Sequence, residues 1–197
     1  MIKGFFVSFI MAYCVGSFSC AVIFSKLAHL PDPRTVGSGN PGTTNALRTS
    51  GKKLAFLVLL GDSLKGLFAV VISHFFLGVC GIYLSFIALA AVIGHIFPLY
   101  FEFKGGKGIA TMFGAFLGLS FSVSLCLIIT WLIVAVFCRF SSVAALITAV
   151  AAPIYMVTIG SHSDYFFPVF LISILIIWKH LENIKNLQKG VEKKIQF

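Results

Sequence analysis

The chain has 197 residues, of which 59% are hydrophobic and only 11% charged, and its formal net charge is +9. A soluble domain of this length carries roughly 25% charged residues, so the composition excludes a water-soluble globular protein. A mean hydropathy of +1.03 and the uncharged segments 4–25, 66–101 and 108–138 predict an all-α, polytopic membrane protein, because a spanning helix needs about 20 apolar residues.

Seven apolar segments predict seven transmembrane helices in a single domain, 1–197. They cover 4–26, 54–76, 80–101, 108–121, 123–138, 142–160 and 165–179. The first segment follows Lys3 and could pass for a secretory signal peptide, but no cleavage site followed by a soluble domain comes after it. We therefore interpret it as the first transmembrane helix.

The segment 108–138 decides the topology, because its roughly 30 residues form either one overlong helix or two short helices hinged at 120–124. With two crossings, every Lys and Arg except Lys3 lies on or near one membrane face. Cytoplasmic loops carry the Lys/Arg excess, so this face is predicted to be cytoplasmic. The N-terminus is then external, the C-terminus cytoplasmic, and the chain a multi-pass protein of the bacterial inner membrane.

The first loop on the basic side reads GSGNPGTTNALR, residues 37–48. Its three glycines permit positive φ and close backbone approach, and such a loop can form a concave anion site with Arg48 as a bidentate phosphate partner. The alternative is a flexible connector, since Gly, Pro, Asn and Ser all favour turns. Asn40 and Asn45 near an arginine favour the anion site.

Two charged residues, Asp62 and Lys65, lie inside the second apolar segment at a spacing that puts them on one helical face. Charges at membrane depth are costly, so both are predicted to face protein or a wet cavity. A mutual ion pair that fixes helix packing and a direct contact with substrate are equally good interpretations.

The second basic loop is FKGGKG, residues 103–108, and an apolar helix is predicted to begin directly after it. A Gly-rich backbone that leads into a helix start, with two lysines, is a sound phosphate cradle because free N–H groups and the positive end of the helix dipole face the anion. Pro98 is predicted to end or kink the preceding helix.

The tail beyond the last span places His180, Asn183 and Leu187 on one side of a helix. It is either an amphipathic, lipid-contacting helix or one that turns His180 and Asn183 back toward the loops. Neither a GxSxG nucleophile elbow nor an HExxH motif occurs, so no covalent nucleophile, metal site or cofactor is predicted.

Together these motifs resemble the bacterial acyl-phosphate:glycerol-3-phosphate acyltransferase family (PlsY) over essentially the whole chain. The resemblance is carried by GSGNPGTTNALR at 37–48, GDSLKG at 61–66, GHIFPLYFEFKGGKGIAT at 94–111, RFSS at 139–142 and HLENIKNLQKGVEK at 180–193. It implies seven transmembrane helices with the active site at the cytoplasmic face, in agreement with the topology derived from charge.

The resemblance implies transfer of an acyl group from acyl phosphate to the 1-hydroxyl of glycerol 3-phosphate, the first acylation step of phospholipid synthesis. The implied catalytic positions are Ser38, Arg48, Lys107, His180 and Asn183. The implied substrate- or phosphate-binding positions are Gly37, Asn40, Gly42, Thr44, Asn45, Asp62, Lys65, Lys104, Gly105, Gly106, Gly108 and Ser142. The implied partners are the two substrates, the lipid bilayer and an enzyme that forms acyl phosphate, with no nucleic acid and no cofactor.

A small organophosphate or anion transporter is the alternative, because it too would use a basic face and intramembrane charges. The chain shows no internal repeat of the kind that transporters often have. Its motifs also cluster at one face rather than at mid-membrane, which favours the enzyme.

Overall fold

The computed structural model describes residues 2–195, with side chains from residue 4 onward. The described residues form α-helices and two short 3-10 helices, Leu99–Phe101 and Ser163–Tyr165, and no β-strand, so the all-α prediction is confirmed for them. The α-helices are α1 Ile2–Gly16, α2 Cys20–Leu27, α3 Thr43–Ser50, α4 Lys52–Phe75, α5 Ile82–Ile96, α6 Ile109–Leu119, α7 Phe121–Cys138, α8 Ser141–Thr158, α9 Phe166–Lys179 and α10 Leu181–Gln188.

Four of the described helical segments are long and apolar enough to cross a membrane: Lys52–Phe75, Ile82–Phe101, Phe121–Cys138 and Ser141–Thr158. Two bent pairs, α1 with α2 and α9 with α10, raise the number to six if each pair is one span. The remaining predicted span coincides with α6, whose 11 residues rise only about 16 Å, against a hydrocarbon core of about 30 Å. An integral membrane protein is therefore observed, and seven crossings stay a prediction. The side chain of Lys3, the one basic group predicted on the external face, lies outside the described part.

The ambiguous segment 108–138 contains two helices, as predicted, but they are unequal. The chain breaks at Ser120, whose backbone is extended at φ −159° and ψ 108°, and α7 then continues for 18 residues. Only α6 is short. Pro98 was predicted to end or kink the helix of the third span, and α5 stops two residues before it, at Ile96.

The chain divides into two compact units, Met1–Leu119 and Ser120–Phe197. In the first unit, α4 packs on α6 through glycines that let the two backbones approach. A methyl group on Gly114 would overlap the Ser63 carbonyl oxygen, and one on Gly66 would overlap that of Thr111. Helices α1 and α5 meet in the same way at Gly16.

In the second unit, α8 packs against both α7 and α9. The described C-terminal residues return to the start of α8, where the Ile195 N–H donates to the Arg139 carbonyl at 2.7 Å. The Ile195 side chain is buried with Ala135 and Ala144. This return brings the tail beside the first turn of α8.

Candidate functional site

The first Gly-rich loop is organised around the side chain of Asn45 in α3, which is only 1% exposed. Its Nδ2 donates to the carbonyls of Pro33 (2.9 Å) and Val36 (3.0 Å), and its Oδ1 accepts from the Ser38 N–H at 2.8 Å. Both amide hydrogens and the carbonyl oxygen are thus bonded to the loop backbone. Asn45, expected from the resemblance to bind phosphate, has here a loop-organising role.

The same contact explains a glycine. Gly37 has φ +66°, in the left-handed region, and a methyl group on it would overlap Oδ1 of Asn45. The neighbouring Ser38 is exposed. The loop therefore presents the Ser38 hydroxyl to the surroundings while its backbone is held from within.

The other predicted residues of this loop surround the start of α3. Gly42 caps the helix in an extended conformation, and a methyl group on it would lie 3.0 Å from Asn40 Nδ2. Thr44 is half-buried in the first turn, and Arg48 is exposed in the last turn. Arg48 is therefore accessible to an anion from solution.

An arginine that sequence reasoning did not single out connects this loop to the segment before the second one. Arg34 binds Asp32 through Nη2 at 2.7 Å, and its Nη1 donates to the Phe101 carbonyl at 3.4 Å. The hydrogen bonds from Arg34 lower the pKa of the Asp32 carboxyl. The sequence signal was the pair Asp32 and Arg34, an acid and a base two residues apart in the polar segment between the first two predicted spans.

The second Gly-rich loop is preceded by a tight turn. Glu102 and Phe103 both lie in the left-handed region, at φ 56° and 58°, and the Phe103 N–H donates to the Pro98 carbonyl at 3.0 Å. Gly108, at φ +88°, ends the loop where α6 begins. The predicted arrangement of a Gly-rich backbone at a helix N-terminus is thus observed.

The two loops are in direct contact. A methyl group on Gly106 would lie 3.1 Å from the Pro41 carbonyl oxygen, which belongs to the first loop. Gly105, Gly106 and Gly108 are buried and Lys107 is half-buried. Lys107 therefore belongs to a loop that packs directly against the first Gly-rich loop.

The two lysines of the second loop have different surroundings. Lys104 is exposed, and its Nζ lies 2.8 Å from Glu102 Oε2. The hydrogen bond from Lys104 lowers the pKa of the Glu102 carboxyl. Lys104 thus lies at the surface beside Glu102, whereas Lys107 is half-buried between buried glycines.

Asp62 and Lys65 form an ion pair at 2.8 Å, with side chains 2% and 7% exposed. Lys65 Nζ also donates to the Phe18 carbonyl at 2.6 Å, between the end of α1 and the start of α2. Of the two interpretations that the sequence left open, these contacts favour the ion pair that fixes helix packing. Asp62 Oδ1 further lies 3.6 Å from Nδ1 of His95, which is likewise buried.

The second unit contains the remaining predicted residues: Ser142, His180 and Asn183. Ser142 Oγ and Asn183 Nδ2 both donate to Oε1 of Glu192, each at 2.7 Å. Sequence reasoning quoted Glu192 within a motif but gave it no role. Its signal was an acid, one of two with Glu182, in the lysine-rich stretch from Lys179 to Lys194.

His180 lies between α9 and α10, where the helical pair bends by 50°, and it is only 3% exposed. Its Nδ1 is 2.7 Å from the Ile176 carbonyl oxygen. Because a carbonyl can only accept, Nδ1 carries the hydrogen. Asn183 and His180 thus both make contacts inside their unit, and the predicted turn of these two residues back toward the loops stays a prediction.

A comparison with protein families matches residues 6–190 to the glycerol-3-phosphate acyltransferase model. A glycerol-3-phosphate acyltransferase of Coxiella burnetii is 58% identical, over 98% of this chain and 99% of the relative. One of Shewanella loihica is 50% identical, over 93% of this chain and 89% of the relative.

Solved structures of similar fold include crystal structures of PlsY (YgiH), an integral membrane glycerol 3-phosphate acyltransferase. The glycerol 3-phosphate form matches with a TM-score of 0.91 and 36% identity, over 98% of this chain and 96% of that one. The lysophosphatidic acid form matches with a TM-score of 0.90 and 35% identity, over 98% and 95%.

Proposed function

The chain belongs to the glycerol-3-phosphate acyltransferase family, and from this premise we propose that its acyl donor is acyl phosphate and its acceptor the 1-hydroxyl of glycerol 3-phosphate. The products are lysophosphatidic acid and inorganic phosphate. Membership in the family and the match to PlsY structures support acyl transfer to glycerol 3-phosphate, and acyl phosphate is the donor that the resemblance of the sequence motifs implies.

The observation that carries the proposal is the contact between the two Gly-rich loops at the N-terminus of α6. Both proposed substrates carry a phosphate. A reaction between them needs two anion-binding loops close enough for a hydroxyl to reach an acyl carbon. Backbone N–H groups, Arg48 and Lys107 are suitable donors for these phosphates.

The proposed reaction is a direct attack of the glycerol hydroxyl on the acyl carbon in a ternary complex. The glycerol hydroxyl oxygen forms a bond to the acyl carbon, the bond from that carbon to the bridging phosphate oxygen breaks, and phosphate leaves with the electron pair. Acyl phosphate is a mixed anhydride with a good leaving group, so no covalent enzyme intermediate is required. Lys107 and the loop N–H groups stabilise the negative charge on the tetrahedral intermediate and the departing phosphate.

The proton of the attacking hydroxyl passes to a substrate phosphate oxygen in this proposal. Within its own unit, His180 can accept a proton only through Nε2, since Nδ1 donates to the Ile176 carbonyl. Arg48 and Ser38 bind the phosphate of glycerol 3-phosphate, and Gly37, Asn40, Gly42 and Thr44 shape the same loop. Ser142 supports Asn183 through Glu192.

We place the enzyme in the bacterial inner membrane, with the site on the cytoplasmic face and the N-terminus outside. The Lys/Arg distribution supports this orientation. The acyl chain then enters from the bilayer. Because acyl phosphate is a reactive anhydride, an enzyme that forms it must supply it, and this is the partner that we propose.

The test is acyl transfer by purified protein in detergent. Acyl phosphate, acyl coenzyme A and the acylated form of acyl carrier protein are each supplied with glycerol 3-phosphate, and lysophosphatidic acid is measured. We expect product with acyl phosphate alone. Product only from a thioester would contradict the proposed donor, and absence of product together with glycerol 3-phosphate uptake into vesicles would favour the transporter.

A further inference from the structure

The His95 ring lies directly against the second Gly-rich loop. A methyl group on Gly106 would overlap His95 Nε2 and lie 3.0 Å from Cε1 of the same ring. The backbone of the same residue is also in contact, since the Gly106 N–H donates to the His95 carbonyl at 3.2 Å. Gly106 is not among the residues with positive φ, so close approach, and not backbone conformation, is what excludes a side chain there.

The other side of the ring faces the buried ion pair of α4. His95 Nδ1 lies 3.6 Å from Asp62 Oδ1, too long for a hydrogen bond but a close electrostatic contact. Asp62 is itself held by Lys65 at 2.8 Å, and Lys65 is anchored on the Phe18 carbonyl at 2.6 Å. The imidazole is thus set between a fixed carboxylate and the loop.

We propose that His95 is a positioning residue for the acyl transfer: its ring, held by the Asp62–Lys65 pair, packs against the loop 104–108 and fixes the position of the loop backbone. The inference rests on the proposed function. His95 acts through Lys107, the residue after Gly106. A loop that no longer packs against the ring can shift toward α5, and Lys107 then moves away from the phosphate. A misplacement of about 1 Å in such a site costs on the order of 100-fold in rate.

A double-mutant cycle tests the contact. His95→Ala, Gly106→Ala and the double variant are compared with the parent in acyl transfer and in thermal unfolding in detergent. We expect Gly106→Ala to lower kcat/KM on the order of 100-fold in the parent and on the order of 10-fold less in the His95→Ala background. Removing the ring removes the two atoms nearest to the new methyl group, and the next nearest is the Pro41 carbonyl oxygen at 3.1 Å.

Gly105 is the matched control. A methyl group on Gly105 would overlap the His95 carbonyl oxygen and lie 2.6 Å from Pro98 Cδ and 2.7 Å from the Ile96 carbonyl oxygen. None of these atoms belongs to the ring. His95→Ala should therefore leave the penalty of Gly105→Ala unchanged, and equal relief at both glycines would overturn the proposal.

The positioning role has its own readout. Because His95 acts through Lys107, His95→Ala should lower kcat in the parent but cause no further loss in a Lys107→Ala background. A purely structural residue would lower the melting temperature without this dependence, and that result would overturn the proposal. His95→Gln, which replaces the rigid ring by a flexible polar chain, replaces His95→Ala in every arm if the alanine variant does not fold.

The arms separate this inference from the proposed function. If the parent transfers no acyl group from any donor, the proposed function fails, and the thermal-unfolding cycle still tests the contact between the ring and Gly106. If transfer occurs but the effects at 95 and 106 are additive, the proposed function stands and the positioning role is wrong.

Discussion

Lys104 and Lys107 are three residues apart in one loop, yet their surroundings differ. Lys104 extends into solvent and pairs with Glu102 at 2.8 Å, whereas Lys107 is half-buried between buried glycines. A charge in a partly buried position acts on a bound phosphate through a lower effective dielectric. An exposed pair contributes little. At the scale of single residues, the structure therefore ranks two lysines that the sequence made equivalent.

Lys107→Ala and Arg48→Ala should each lower kcat/KM by roughly 100-fold or more, because each removes a charged partner of a phosphate. Lys104→Ala should have a clearly smaller effect. Steady-state acyl transfer in detergent measures this, with Lys26→Ala, an exposed lysine of α2, as the control for loss of charge. Near-parental activity of either variant removes that residue from the site.

Glu192→Ala should lower the thermal stability, because it removes the common acceptor of Ser142 and Asn183. A hydrogen bond to a charged group contributes about 1.5–3 kcal/mol. Glu192→Gln retains an amide oxygen as acceptor and should lose less. Thermal unfolding in detergent checks the order, with Glu182→Gln on the exposed side of α10 as control. A parental melting temperature for Glu192→Ala would contradict the assigned role.

At the scale of elements, the close contact between α4 and α6 positions the short helix that follows the second Gly-rich loop. Helices in a bilayer gain little from burying apolar surface against each other, so close packing at small residues holds them together. Gly114 lies against the backbone of Ser63, whereas the atoms nearest to a methyl group on Gly61 of α4 are side-chain atoms of Cys20 and Phe24. We therefore expect an added methyl group to be tolerated better at Gly61 than at Gly114.

Gly114→Ala should destabilise the protein by about 1–3 kcal/mol, the usual cost of overpacking, because the Ser63 backbone cannot move without shifting α4. Gly61→Ala is the matched control and should cost less, since the Cys20 thiol at 2.8 Å can rotate away. The melting temperatures of the two variants are compared with the parent. A larger loss at Gly61 than at Gly114 would mean that the α4–α6 contact is not the tighter one.

At the scale of the whole molecule, the sidedness of charge predicts a topology in which the short α6 must cross the membrane. All Lys and Arg residues except Lys3 fall on or near one face only if 108–138 crosses twice. Helix α7 has the length of a span, and α6, with 11 residues, does not. The side on which Arg139 lies therefore reports directly whether α6 crosses.

A reporter active only in the periplasm should be silent when fused near Arg139 or after Phe197, which lies outside the described residues. The same reporter should be active near Gly78 or Ser161. This pattern follows from two crossings between Gly108 and Cys138 and a cytoplasmic basic face. An active reporter at the C-terminus would place the tail with His180 outside, and the proposed site would be wrong.

What the sequence could predict was local. Runs of apolar residues set where helices form, because a backbone in lipid must satisfy its own hydrogen bonds. Among the described residues, the predicted spans after the first each contain one apolar α-helix, whereas the first covers two, α1 and α2, that are bent by 43°. The Gly-rich loops before helix starts were likewise predictable, since φ freedom and helix N-termini are encoded in neighbouring residues; their use as anion sites stays a prediction.

Only the tertiary structure decided which side chains contact each other across segments that are distant in the sequence. Asn45 bonds to the backbone of Pro33 and Val36, Glu192 collects Ser142 and Asn183, and His95 meets Gly106. Each pairing depends on which segments the packing brings together, and hydropathy does not record this. Asp62 and Lys65 illustrate the difference. Their spacing in the sequence predicted that both lie on one helical face, but the structure was needed to show that both side chains are buried and that they form an ion pair at 2.8 Å.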